Sequence, residues 1–261
     1  MGRGGALAAI DPLAPVRTTL TAMAARPELP PLGGLAADLT PPAGAVPARA
    51  LVDGSAVDAF LDAAQHRWKA SPHAAAALAW KSYAYWLALP AVLGYAVARR
   101  MPPVRPEAVA LRWSPIPPFV VVGLTAPEVA VLATDPLAVT PGPVRVVADD
   151  AAMLAELRSS LMDDHLDPVL EQIRTRIHLG RRTLWGSLAS GIAHAMSRAA
   201  DYVPSPVLST TNEILAALGL EDLVELSPLG DGRPGLWVQR RTCCLAFTLP
   251  DPKICAGCCI R

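Results

Sequence analysis

Five cysteines stand near the end of the 261-residue chain, at positions 243, 244, 255, 258 and 259, and the residues before them hold none. Cys243, Cys244, Cys255 and Cys258 spell C-C-x10-C-x2-C. Four thiolates gathered this way can hold a tetrahedral zinc ion or an iron-sulfur cluster, and a pair spaced as Cys255 and Cys258 serves either. The adjacent pair helps to separate the two readings. Neighbouring side chains tend to point apart, which makes joint ligation of one zinc awkward and suits the wider set of ligand positions around a two-iron core. Cys259 is read as a bystander thiol, with replacement of a ligand as its other role. A disulfide framework is disfavoured, because cysteines that staple a secreted fold are spread through it and a chain this long builds its core without them.

The motif Cys243, Cys244, Cys255 and Cys258 resembles the C-terminal ligand pattern of the FhuF-type ferric siderophore reductases. Upstream, His165, Leu166 and Pro168, and then Leu184, Trp185 and Gly186, look like that family's helical segments before the cysteine tail, so the similarity runs from about residue 144 to 261. Ser187 departs from the pattern, since family members often carry asparagine there. The resemblance implies a cytoplasmic oxidoreductase with one 2Fe-2S cluster on these four cysteines. It would take electrons from an unidentified donor and pass them singly to iron(III) in an imported siderophore, with hydroxamate chelates as the expected type. Such chelates hold iron(III) far more tightly than iron(II), so one electron loosens the complex. That reaction needs no general base or nucleophile, in keeping with the lack of any acid-base motif. The family also resembles, distantly, the C-terminal part of aerobactin-type siderophore synthetases, but no nucleotide-binding loop is seen here.

An oxidised 2Fe-2S core with four thiolates carries a formal charge of about minus two. Arg240, Arg241 and Lys253 neighbour the ligands and would raise its reduction potential or dock a donor, unless they simply stay solvated. Trp185, Trp237, Arg181 and Arg182 are candidates for a chelate-resting surface, set against the ordinary reading of such aromatics as core. His66, His73, His165, His178 and His194 are scattered and lack metal-binding spacing. His165 is read as a local hydrogen-bonding residue, and Asp163 and Asp164 as a solvated helix end.

These groups must be positioned by a mainly helical scaffold. Helical spacing or caps predict helices over 17–25, from Ser55 to about 70, from Ser71-Pro72 to about 100 past Pro90, from Asp149 or Asp150, again from Asp167-Pro168 to Gly180, over 184–196, and over 213–218 behind Thr210 or Thr211. Gly186 and Gly191 thin one side of the 184–196 helix, which fits close helix packing or the cysteine site pressing near. Short β-rich runs at 108–113, 119–124 and 144–147 predict a small antiparallel sheet, and 237–240 with 245–249 two more strands. The fold class is therefore α+β: a mainly helical body with a small antiparallel sheet and a C-terminal cysteine-rich iron-sulfur loop. Its expected divisions are a Pro/Ala-rich segment 1–50, a body 51–234 and a cluster-binding segment 235–261.

Composition narrows the function classes. Hydrophobic residues make up 52% and charged residues only 18%, which excludes disorder for most of the chain. Lysine plus arginine (23) balances aspartate plus glutamate (23), so no overall field draws the molecule to nucleic acid. Residues 1–10 are too brief for a signal-peptide core and lack the residues of a myristoylation start. The apolar run 82–98 is at the lower limit of a membrane span and contains Pro90, so it reads as a buried helix. The lesser reading is a helix resting against the inner face of the cell membrane, a peripheral contact that leaves the bulk of the protein cytoplasmic. Two rivals remain beside the reductase: a zinc-stabilised binding module, and an iron-sulfur accessory protein that turns over no chelate.

Overall fold

The computed structural model describes residues 11–27, 31–36, 38–125, 128–230 and 232–260; the reading of residues 1–10 lies outside them. Its centre is a single helix. Ser71 Oγ accepts the amide of Ala74 at 3.4 Å, and Pro72 occupies the first turn, where a missing N–H costs nothing. The 27-residue helix that follows, Pro72–Ala98, carries one permanently charged side chain, Lys81, and is apolar around most of its girth. A helix of that kind belongs inside a core. It is α4, and around it pack α1 (Ala14–Ala24), α3 (Val57–Trp68) and α7 (Arg181–Arg198); the short α2 (Arg49–Val52) lies between the first and third in sequence. No helix among the described residues is long and apolar enough to cross a membrane.

The α4–α7 pairing is specific. Leu184, Leu188, Ile192 and Met196 put one buried stripe on α7, each side chain contributing about 1.5–3 kcal/mol by burial. Trp80 Nε1 donates to the Leu184 carbonyl at 2.7 Å, and its ring meets Trp185 edge-on at 5.3 Å. Ser55 does not cap α3; Ala56 takes that position, and the Ser55 amide is held by Asp53.

Asp149 caps α5 (Asp150–Arg158) through the Ala152 amide, as its type predicts. The expected break at Asp167-Pro168 does not occur. The chain passes through a π-helical stretch, Ser159–Leu166, straight into α6 (Asp167–Arg176), with the Asp167 amide reaching back to Met162 O. Proline lacks the N–H and crowds the carbonyl four residues earlier, and the wider π turns let the helix continue past Pro168. This places His165 in the core, where Nδ1 donates to Val104 O and Nε2 accepts from the Tyr83 hydroxyl. Its bonds are long-range, not local as expected. Gly180 starts α7 as its N-cap and does not end α6, and Thr210 and Thr211 lie buried within α8 (Val207–Leu218).

The β-rich middle forms two small sheets where one was expected. In the first, β3 (Val109–Trp113) pairs antiparallel with β4 (Val120–Leu124) and with β1 (Val46–Pro47). In the second, β5 (Val129–Leu132) pairs antiparallel with β2 (Arg100–Met101) but parallel with β6 (Val144–Val147). The expected α+β class holds, with its small antiparallel sheet present and a second, mixed sheet beside it. A third, two-stranded sheet joins β7 (Val224–Pro228) to β8 (Leu236–Arg240) in antiparallel register, Val224 opposite Arg240. Residues 245–249 are not a strand; they contain a short 3-10 turn, Ala246–Thr248. The main core is contiguous and includes Leu13, Val16, Leu35 and Ala48 from the first fifty residues.

Candidate metal centre

Strand β8 delivers the cysteine segment to the surface of α7. Its last residue, Arg240, lies opposite Val224, and the Arg241 amide bonds to Leu223 O at 3.0 Å. Thr242 then nests on Gly186 of α7, where a Cβ would meet the Thr242 side chain at 1.8 Å. The thinned face of the helix is thus filled by the residue preceding Cys243. After Cys244 the chain reverses at Leu245, which takes a left-handed conformation (φ 62°) and donates its amide to Cys243 Sγ at 3.3 Å.

The second cysteine pair returns to the same strand. The Lys253 amide bonds to Ala246 O at 3.1 Å, and the Cys258 amide closes a turn on Cys255 O at 3.2 Å. Gly257 O then accepts the Arg240 amide at 2.9 Å, and Gln239 Nε2 donates to Cys258 O at 3.3 Å. Only glycine permits this approach, since a Cβ at position 257 would lie 1.8 Å from Val238 O. Both halves of the C-C-x10-C-x2-C pattern are therefore anchored at the end of β8. Leu78, Cys244, Ala246 and Leu249 form a small separate apolar cluster, edged by Trp68 and Cys255, that seats the segment on α3 and α4.

All five thiols are free. Cys244, 5% exposed, sits in the apolar cluster that Cys255 edges, while Cys259 feels the charges of Cys243 and Cys258. Burial pushes the Cys244 thiol up, but Lys81, the Ala246 amide, Arg240 and Cys255 together hold it below its ordinary value. Cys259 is raised, by burial and then by its neighbours Cys243 and Cys258. Both predicted pairs thus reach the end of β8, but among the described residues no three His, Cys, Asp or Glu side chains converge as a bound metal ion would require.

The charge around the segment would nevertheless suit thiolate ligands. Arg240 is 4% exposed, and among the described residues its guanidinium bonds to neutral groups, Thr242 O at 3.2 Å and Ser187 Oγ at 3.1 Å. Among the described residues neither Arg240 nor Lys81 pairs with a carboxylate, and both act on Cys244. A buried cation without a counter-charge is costly, and a thiolate at Cys244 would offset it. Thr242 Oγ1 is buried with no hydrogen-bond partner, one residue from Cys243. A hydroxyl and an amide beside the sulfurs are the kind of donors that tune such clusters.

The other candidates separate by environment. Arg241 is exposed and faces Glu225 at 3.5 Å, and Lys253 is exposed. Arg181 is taken up by Asp167 and Glu171, and Arg182 by Asp222. Trp185 packs on Trp80, whereas Trp237 is 45% exposed. His66, His73 and His178 are exposed, and Asp163 and Asp164 face Arg158 and Arg105. Sequence reasoning missed Lys81 as a site residue. Its signal was present, a lone lysine in a 27-residue apolar helix. The sequence matches no family model and no curated protein.

Proposed function

We propose that Cys243, Cys244, Cys255 and Cys258 hold a 2Fe-2S cluster and that the protein is a cytoplasmic ferric-siderophore reductase. The observation that carries the cluster is that both cysteine pairs are anchored at the end of β8, where the Arg240 amide bonds to Gly257 O and Gln239 Nε2 to Cys258 O, beside the buried Arg240 guanidinium. The substrate class rests on the resemblance carried by the cysteine motif and by the 165–168 and 184–186 segments. When bound, the cluster supplies single electrons, for which siderophore-held iron(III) is the acceptor substrate. The protein's own part is electrostatic and positional. Arg240 and Lys81 offset thiolate charge, the Leu245 amide bonds to Cys243 Sγ, and Gly257 keeps the Cys255–Cys258 turn against β8. A more positive surround favours the reduced state, so the buried guanidinium sets the potential upward.

The test is spectroscopic and then chemical. Anaerobically purified protein should be brown, with visible absorption, and should give an electron paramagnetic resonance signal after dithionite. Mixing the reduced protein with ferric siderophores should bleach the chelates and yield iron(II) trapped by a ferrous chelator. Colourless protein with stoichiometric zinc would overturn the reading. Brown protein that reduces none of several chelate classes would leave an iron-sulfur protein without this activity.

A further inference from the structure

A cavity opens between α4 and α7, next to the cysteine segment. Leu78, Lys81, Ser82 and Tyr85 recur at helical spacing along α4 and share its lining with Gly191 and His194 of α7. Trp68 of α3 closes one side, and the volume is about 560 Å³, within the range of small-molecule sites. Gly191 sets the width, since a Cβ there would lie 3.3 Å from the Tyr85 ring. The cavity shares a wall with the thiols. Leu78 belongs to the apolar cluster that holds Cys244, and Trp68 packs against that cluster.

Several of its polar side chains are unpartnered. Among the described residues Lys81, Ser82 and His194 make no side-chain hydrogen bond and no ion pair, although all of them line the cavity. Lys81 and Ser82 are half-buried neighbours, so an ammonium and a hydroxyl offer donors side by side. Arg198 also lines the cavity, but it is already engaged within the fold and adds nothing to this set. The rings of Trp68 and Tyr85 complete the lining. A space between two packed helices, with aromatic walls and donors at one edge, suits a flat ring that carries acceptor atoms on its rim. A ferric chelate, globular about its metal, fits such a slot less well.

The reductase reading limits what that ring can be. A 2Fe-2S centre takes one electron at a time, whereas a hydride donor such as a nicotinamide releases two together. We propose that the cavity binds a reduced flavin as the electron donor, with Trp68 and Tyr85 as stacking partners of the isoalloxazine ring and Lys81 and Ser82 as donors to its carbonyl edge. The proposal rests on the reductase reading for the direction of electron flow and names the donor which that reading leaves open. Each reduced flavin gives up two electrons and two protons and becomes oxidised flavin. Two chelates are reduced in succession from iron(III) to iron(II), and the protons pass to solvent. The way from ring to thiols is short, because Leu78 and Trp68 belong to both the cavity wall and the surroundings of Cys244.

Riboflavin is the probe, because it carries the ring without a phosphate. Anaerobic equilibrium dialysis against the cluster-loaded protein should show one site with a Kd of about 10 μM or tighter. Ser82→Phe, which fills the cavity, and Lys81→Met, which removes the ammonium, should each weaken binding at least about tenfold. Ser82 is the independent variant, since it is not among the groups that act on Cys244, and thermal melts confirm that each variant is folded. Stopped-flow mixing with photoreduced riboflavin should reduce the wild-type centre at a rate that saturates with flavin, and Ser82→Phe should abolish that saturation. No riboflavin binding, or full affinity in either variant, overturns the proposal. Flavin mononucleotide that binds where riboflavin does not would place the affinity in the phosphate and overturn it too. Failure of the reductase reading looks different: riboflavin binding would persist and still fall in both variants, while no ferric chelate would be reduced.

Discussion

Arg240 Nη2 donates to Ser187 Oγ at 3.1 Å, and this bond ties the end of the strand before the cysteines to the helix beneath them. The same guanidinium holds Thr242 O, so it fixes the backbone leading into Cys243 while its charge acts on Cys244. Replacing Arg240 by glutamine should raise the Cys244 thiol in the metal-free protein. Site-resolved alkylation at neutral pH would read this as a slower rate. In the loaded protein the midpoint potential should fall by about 60 mV, the one-electron equivalent of a tenfold change. Ser187→Ala keeps the charge and should move the potential less. An unchanged potential in the Arg240 variant would remove the guanidinium from the centre.

Cys259 is the spare thiol among five, and it lies in the field of Cys243 and Cys258. Cys244→Ser should strip or destabilise the cluster, whereas Cys259→Ser should retain iron content and the visible spectrum. Loss of iron in the Cys259 variant, with retention in Cys258→Ser, would shift the ligand set by one residue.

The helical frame was legible because its signals are local and agree with one another. Ser71-Pro72, Asp149 and the Leu184–Met196 stripe each act through a cap or a single buried face. The strands were less so. Val129–Leu132 is apolar on every residue and has no alternation to mark it, and Val224–Pro228 is defined by its partner strand more than by its own composition. Residues 245–249 have strand composition, but the turn at Leu245 overrides it. At the site, the cysteines and Arg240 stood out by type and spacing. Lys81 stood out as the lone lysine of an apolar helix, but its place beside Cys244 arises only when the tail folds over α4.

Gly257 offers a test of how the second cysteine pair is held. Its missing Cβ is what lets the turn lie against Val238 O, a backbone atom that cannot step aside. Gly257→Ala should therefore detach the turn, cost about 1–3 kcal/mol and lower iron content after anaerobic expression. Gly142→Ala is the matched control, since its Cβ would meet nothing within 4 Å, and should change neither melting nor iron. Normal loading of the Gly257 variant would show that the strand contact is dispensable.

The buried pair of His165 and Tyr83 predicts how stability responds to pH. Burial is the main cause that lowers His165 to about 4 from its ordinary 6.5, with the Val104 carbonyl only partly opposing it. The folded chain therefore binds fewer protons than the unfolded chain between those two values. Stability from this residue is complete above about pH 6.5 and is lost as pH falls towards 4, by roughly 3 kcal/mol in all. His194 is lowered in the same direction but is exposed, so a variant is needed to isolate the core imidazole. His165→Gln should be less stable at neutral pH, because a buried hydrogen-bond pair is disturbed, yet should lose less with acidification. Urea unfolding at a series of pH values from 7 to 4.5 measures both effects. Identical pH slopes for wild type and variant would mean that His165 is not the neutral imidazole linking the π-helical stretch to α4.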